Sequence, residues 1–139
     1  MNYWLIKSEP KKYAWSTFIK DGHTFWDGVK NYQARNNLRL MQVGDWCLFY
    51  HSNDGKEIVG IAEVVACAYQ DPSTTDERWV AVDIKPVAPL KFPVSLATIK
   101  NDNQLEKIGL IRQSRLSVMQ VTTDEFNRII WLSEQAPNE

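Results

Sequence analysis

Net charge is almost absent from this sequence: 16 Lys and Arg stand against 17 Asp and Glu, leaving −1 at neutral pH. Proteins that grip a long stretch of phosphate backbone usually carry a clear positive excess, so the balance argues mildly against that class. If nucleic acid is a partner, the footprint is short, a base and a few phosphates, with the cations gathered on one face. Cysteine is equally scarce. Cys47 and Cys67 lie far apart in apolar runs, no CxxC spacing occurs, and His23 and His51 complete no zinc set. No disulfide framework, metal or cofactor is expected, and both cysteines read as small buried hydrophobes in a reduced compartment. Long hydrophobic runs are missing too. The longest, residues 58–69, is interrupted by Glu63 and falls short of the ~20 residues of a bilayer-spanning helix. Lys7 and Glu9 come too early for a signal peptide. The expectation is a soluble, cytoplasmic protein with no membrane partner.

The 139 residues suit one domain over 1–139, with no internal repeat or linker. Six tryptophans are many for that length. Each buries much area but seeks a partner for its indole N–H, so some belong at core margins or along a pocket. Residues 3–7 read as an opening strand that stops at Ser8-Glu9-Pro10. Trp15, Phe18 and Ile19 then give a short helix ending at Gly22. Asp27 is positioned to cap a second helix running to about Met41. Ala34, Leu38 and Met41 form its apolar stripe, and Asn31, Arg35 and Arg39 a polar one beside it. After the turn Val43-Gly44-Asp45, residues 46–51 make a strand, Asn53-Asp54-Gly55-Lys56 a hairpin turn, and residues 57–69 its partner. A further strand is predicted over 79–86, then a proline-punctuated stretch and a short helix near Ser95. Residues 105–113 hold a helical turn and 116–121 a last strand. Thr122 and Glu125 form a capping box for a terminal helix to about Leu132. Strands in the middle with helices inserted around them predict an α+β fold, a curled sheet closing into a small barrel with helices on its rim.

Four segments carry a resemblance that spans nearly the whole chain. They are Tyr3-Trp4-Leu5-Ile6-Lys7-Ser8-Glu9-Pro10; the run opening Trp26-Asp27-Gly28-Val29-Lys30-Asn31-Tyr32-Gln33-Ala34-Arg35 and ending at Arg39; Val43-Gly44-Asp45 with Phe49-Tyr50-His51-Ser52; and Ser114-Arg115-Leu116-Ser117-Val118. Together and in this order they resemble the EVE family, a relative of the YTH and PUA-like domains. The resemblance implies a PUA-like β pseudo-barrel and a pocket for a modified nucleobase of the 5-methylcytosine type. Two positions depart from the family's pattern: Ala14-Trp15-Ser16, where Ser-Trp-Asp is frequent, and Lys30, where Arg is common.

The residues support a base pocket independently of that likeness. A base reader needs a flat aromatic surface, hydrogen-bonding groups for the base edge and cations for flanking phosphates. Trp26 suits stacking, though it serves equally as a core residue beside Trp15; the similarity to YTH domains, where a Trp after the first strand helps cage the base, favours stacking. Ser8 can meet a base edge, or simply close a turn before Glu9-Pro10. Asn31 and Gln33 carry amides for a Watson–Crick edge, and three Asn in one helix (Asn31, Asn36, Asn37) are poor helix formers that suggest a local need for amides. Tyr50, His51 and Ser52 close a strand and are read as pocket wall. Ser117 shares a strand face with Arg115, and Lys7, Arg35 and Arg115 are the candidates for phosphate.

The expected function is a non-catalytic reader of a flipped, modified base in DNA or RNA, with the base between Trp26 and the Tyr50–Ser52 strand end. Two rivals stand beside it. An enzyme acting on nucleotides would use His51 and Asp27, but adjacent strand residues such as His51 and Ser52 face opposite ways and no nucleophile elbow exists. A protein-interaction module would use exposed aromatics.

Overall fold

Residues 1–136 are described by the computed structural model. Six strands form one sheet: β1 (Tyr3–Ser8), β2 (Thr24–Trp26), β3 (Trp46–His51), β4 (Glu57–Gln70), β5 (Val80–Ser95) and β6 (Val118–Val121). Their order is β2-β5-β4-β3-β1-β6. Only β1 and β3 run parallel, joined by a crossover that holds helix α1 (Trp15–Asp21), β2 and helix α2 (Tyr32–Leu40). Three further helices follow β5: α3 (Leu96–Lys100), α4 (Gly109–Arg112) and α5 (Thr123–Ser133). No helix among the described residues is long and apolar enough to cross a membrane.

The core follows the apolar positions of the sequence and covers both faces of the central strands, where successive residues are buried alike. Trp4, Leu5 and Ile6 of β1 and Leu48 and Phe49 of β3 are fully buried, roofed by Leu38 of α2 and by Phe126 and Ile129 of α5. Asp45, buried at the mouth of β3, accepts hydrogen bonds from the Trp4 indole N–H (3.0 Å) and from the backbone N–H groups of Asn2 (3.1 Å) and Gln42 (3.0 Å). That explains why the Gly44-Asp45 turn and the Trp4 strand belong together: the carboxylate supplies the indole with the partner it needs. Gly60 on β4 has an equally specific cause. A Cβ there would stand 2.4 Å from the Trp15 ring, so glycine lets the indole lie flat on the sheet where the β4–β5 register shifts.

Several expectations change. The barrel does not close: the ladder ends at β2 on one side and at β6 on the other. β2 itself, only three residues long, has too short a pattern to be read from sequence. β5 runs through Pro86, Pro89 and Pro93 to Ser95. This is tolerated because β2 pairs with β5 only over Val82–Ile84, leaving the proline stretch without an outer neighbour to hydrogen-bond. α2 begins at Tyr32 rather than after Asp27. Gly28 takes φ of 72°, which breaks helix geometry, and Asn31 becomes the cap, its side chain accepting from the Ala34 N–H. Asn31 therefore stands outside the stripe of Arg35 and Arg39. Cys67 is exposed, while Cys47 is buried as expected. The Gly22 C-cap and the Thr122–Glu125 capping box are present as read.

Candidate functional site

The β2 edge and the C-terminal end of β1 border a cleft of ≈ 610 Å³, within the range of small-molecule sites. One wall is β2 and the loop after it, from Thr24 to Lys30. The other is the end of β1, Lys7 and Ser8, with Ser117 just ahead of β6 and the loop of Glu9, Lys12 and Tyr13. Trp26 sits on the first wall, half-buried. Its indole is held edge-on by Phe49 (centroids 5.6 Å apart) and Tyr13 (6.2 Å), which leaves a defined aromatic surface on the cleft.

Ser8 is buried, and its hydroxyl donates to the Tyr13 carbonyl (2.5 Å). With the proton so engaged, its lone pairs are left to accept from a ligand N–H. The 9–15 loop is tied down at several points. Asn53 Nδ2 donates to Glu9 (2.8 Å), Tyr13 OH to Asp21 (2.8 Å), and the Trp15 N–H to His51 Nε2 (3.1 Å). On the opposite wall the Gly28 N–H donates to Asp71 (2.8 Å), a carboxylate 43 positions away. Asp71 is fully buried and also accepts from the Ser73 N–H (2.7 Å) and hydroxyl (2.5 Å). Burial alone would raise its pKa, but the bonds from Ser73 and Gly28, with Lys30 nearby, hold the carboxyl below its ordinary range.

Lys7, Lys12 and Lys30 ring the mouth, against Glu9 and Asp27. Burial lowers the Lys7 ammonium below its usual value, and it donates to the Ser114 carbonyl (2.7 Å). Beyond the mouth lies a cation–aromatic array. Lys30 stands over Trp79 (5.4 Å), Tyr32 packs on Trp79 (5.2 Å), and Arg35 stands over Tyr32 (5.1 Å). Arg78 donates to Tyr32 OH (2.9 Å) and pairs with Asp76, whose carboxyl it draws down to about 2.

Four of the residues singled out from sequence meet in the cleft: Lys7, Ser8, Trp26 and Ser117. Asn31, Gln33 and Arg115 line a second recess beside it. Tyr50 and Ser52 line a third, smaller one with Lys7, so the wall facing Trp26 is the β1 end and the 9–13 loop rather than the Tyr50–Ser52 strand end. The β1–β3 pairing sets Lys7 beside Tyr50 and Ser8 beside His51, and of these two strand ends it is that of β1 that lines the cleft with Trp26. His51 lies outside the cleft lining, its ring used in fixing the 9–15 loop. Arg35 also lies outside, its guanidinium bonded to Asn36 Oδ1 (2.7 Å). Sequence reasoning missed Thr24 and Tyr13 as lining residues and Asp71 as the tether, and it gave Asp27, which also lines the cleft, only to a helix cap and the enzyme reading. The Asp71-Pro72-Ser73 turn signature was visible, but not that it reaches Gly28.

Burial lowers the His51 pKa below 6.5, opposed only by Glu57. The folded protein therefore binds that proton less readily than the unfolded chain does. The His51 contribution is intact above about pH 6.5 and is lost as pH falls through the depressed folded value. The melting temperature is expected to drop between about pH 7 and pH 5, and His51→Gln to flatten that drop, as read by thermal melts across the window.

The open sheet and its edge-bordered cleft define a PUA-like α+β fold. Residues 2–132 match the EVE domain model, and the chain belongs to the EVE-domain family. Thymocyte nuclear protein 1 of Rattus norvegicus is 36% identical over 171 residues, spanning 99% of this chain and 76% of that protein. A crystal structure of a protein from Agrobacterium tumefaciens superposes with TM-score 0.95 at 44% identity, covering 96% of this chain and 94% of that one. Human THYN1, solved in complex with 5-methylcytosine-containing DNA, superposes with TM-score 0.91 at 32% identity over 99% of this chain and 100% of that one. The expected cytoplasmic placement is overturned by the thymocyte nuclear proteins, which are nuclear by name and of which the human one is solved on DNA.

Proposed function

We propose that this protein is a non-catalytic reader of a modified base in nucleic acid, and that the cleft between β2 and the end of β1 receives the base after it flips out of its stack. One observation carries the reading: an aromatic wall, Trp26, faces hydroxyl and carboxylate acceptors within a cleft ringed by lysines, in a chain akin to a protein solved on 5-methylcytosine DNA. The base stacks on Trp26. Ser8 and Ser117, with Asp27, meet its edge; a cytosine-type exocyclic amine is a donor and suits the lone pairs of Ser8 and the Asp27 carboxylate. The 5-methyl group is apolar and lies against the indole. Lys7, Lys12 and Lys30 hold the flanking phosphates, and Arg35 extends that rim through the Tyr32–Trp79 array. Phosphate contacts fix position and edge contacts give specificity.

Fluorescence anisotropy with oligonucleotides that differ only in the methyl group of one cytosine tests this directly. The methylated strand is expected to bind more tightly, with affinity falling as salt rises. Lys30→Ala should lower the slope of log affinity against log salt by about one unit on single-stranded DNA or duplex. Equal affinity for both strands would sink the reading, and so would steady turnover of a nucleotide substrate.

A further inference from the structure

The amides that sequence reasoning gave to the flipped base stand one step away from it. Asn31, Gln33, Gln113, Ser114, Arg115 and Leu116 line a recess of ≈ 330 Å³. It continues the cleft along both walls. Lys30 borders the cleft and Asn31 the recess, and across from them Ser117 and Leu116 divide in the same way. We infer that this recess reads the base next to the flipped one in the same strand, and that it fits the Hoogsteen edge of guanine. This rests on the cleft holding the flipped base as proposed above.

The hydrogen-bonding inventory of the recess selects the base. Asn31 uses its side-chain oxygen to cap α2, accepting from the Ala34 N–H at 2.9 Å, which leaves its NH₂ free to donate. Gln33 Nε2 donates to Gln113 Oε1 at 2.8 Å. Whichever way that amide pair is turned, one NH₂ group and one oxygen are left wholly unengaged. Arg115 is exposed at the recess, and no hydrogen bond or ion pair to the described residues engages its guanidinium. Ser114 gives up its carbonyl to Lys7 (2.7 Å) and keeps its hydroxyl. The side-chain groups left for a ligand are therefore mostly donors. Guanine presents two acceptors, O6 and N7, on its Hoogsteen edge, whereas adenine offers one acceptor and one donor, and cytosine an N4 donor. The forked guanidinium of Arg115 matches the two guanine acceptors in one plane. That edge stays accessible in single strands and in the duplex beside a flipped nucleotide.

The pairing also separates two jobs on one face. The cleft judges the modification and the recess judges its neighbour, so the two preferences are expected to be separable by mutation. A phosphate is the other ligand a donor-rich recess would hold, and it predicts something different. Phosphate binding lowers affinity for every sequence alike when removed, and a lysine can replace the arginine.

The test uses the full chain and single-stranded DNA carrying one 5-methylcytosine, with each of the four bases in turn placed before and after it. Guanine on one side is expected to improve affinity by about tenfold over the other bases, within what one bidentate pair supplies. Arg115→Ala should abolish that preference while the discrimination of methylated from plain cytosine persists, and Arg115→Lys, which lacks the planar fork, and Gln113→Ala should each reduce it. Methyl discrimination with no neighbour preference in the parent protein would overturn the inference alone. So would a uniform loss across all sequences in Arg115→Ala that Arg115→Lys restores, which marks a phosphate contact. Failure to distinguish methylated from plain cytosine in any context would overturn the reading of the cleft, and this inference with it.

Discussion

Trp26→Ala is expected to weaken binding of a methylated oligonucleotide by about 1–3 kcal/mol, the worth of one base stacked on an aromatic ring. The position of the indole makes this a test of function more than of folding. Trp26 is only half-buried, unlike Trp4, which is sealed in the core. Its loss removes two edge-to-face contacts, with Phe49 and Tyr13, each worth about 0.5–1.5 kcal/mol. The melting temperature should fall, yet the sheet should form, because Phe49 keeps its stacking on Phe18 (5.4 Å). Trp26→Phe retains a ring and should recover much of the affinity. Anisotropy titrations paired with circular dichroism melts separate the two effects. A folded Trp26→Ala variant that binds as tightly as the parent would remove the aromatic wall from the mechanism.

Asp71→Ala should cost more stability, about 3 kcal/mol, and binding with it. The carboxylate is buried and satisfies the Gly28 N–H together with both donors of Ser73, and hydrogen bonds to a charged group contribute about 1.5–3 kcal/mol each without adding fully. Removing it orphans the Gly28 N–H and releases the Asp27–Lys30 wall. Affinity for the methylated strand should therefore fall although Asp71 is not part of the cleft lining. Asp71→Asn, which keeps one acceptor oxygen, should do less harm. The pH dependence has a definite sign. Because the folded carboxyl holds its proton less firmly than the unfolded one, its stabilisation is present above the ordinary value of 3.8 and disappears as pH falls through the depressed one. That window lies below the His51 window, so urea melts at several pH values resolve the two groups. Unchanged stability and affinity in Asp71→Ala would show that the loop holds itself.

Local signals in the sequence reported on local structure. The Thr122–Glu125 box, the Gly22 cap and the Asp54-Gly55 turn each depend on residues a few positions apart, and each is found where it was expected. β2 escaped notice because three residues show no period, and the strand read over 79–86 was ended too early because the prolines through which β5 continues to Ser95 are acceptable only on an edge that the topology creates. The α2 start moved from Asp27 to Asn31 for a similar reason: Gly28 is free to leave helix geometry, and a buried acid from another loop fixes it there. The site followed the same division. Ser8, Trp26 and Lys7 were legible because the segments that carry the family likeness contain them. Asn31 and Gln33 were assigned to the base edge and Arg115 to phosphate, but their meeting in one recess displaced from Trp26 depends on how α2 and the β6 entry lie across the cleft. No spacing in the chain encodes that distance.

The unclosed ladder has a consequence for how such a pocket changes over time. Because no ladder pairs β2 with the strands at the far end of the sheet, the cleft between β2 and the end of β1 works like a vise whose jaws are mounted on one plate. Its width is set by a few side-chain struts, Asp71 to Gly28 on one jaw and His51 to Trp15 on the other. Substituting a strut or a jaw-face residue regauges the opening while every strand pairing survives. Descendants of one scaffold can thus come to accept differently sized marks without refolding.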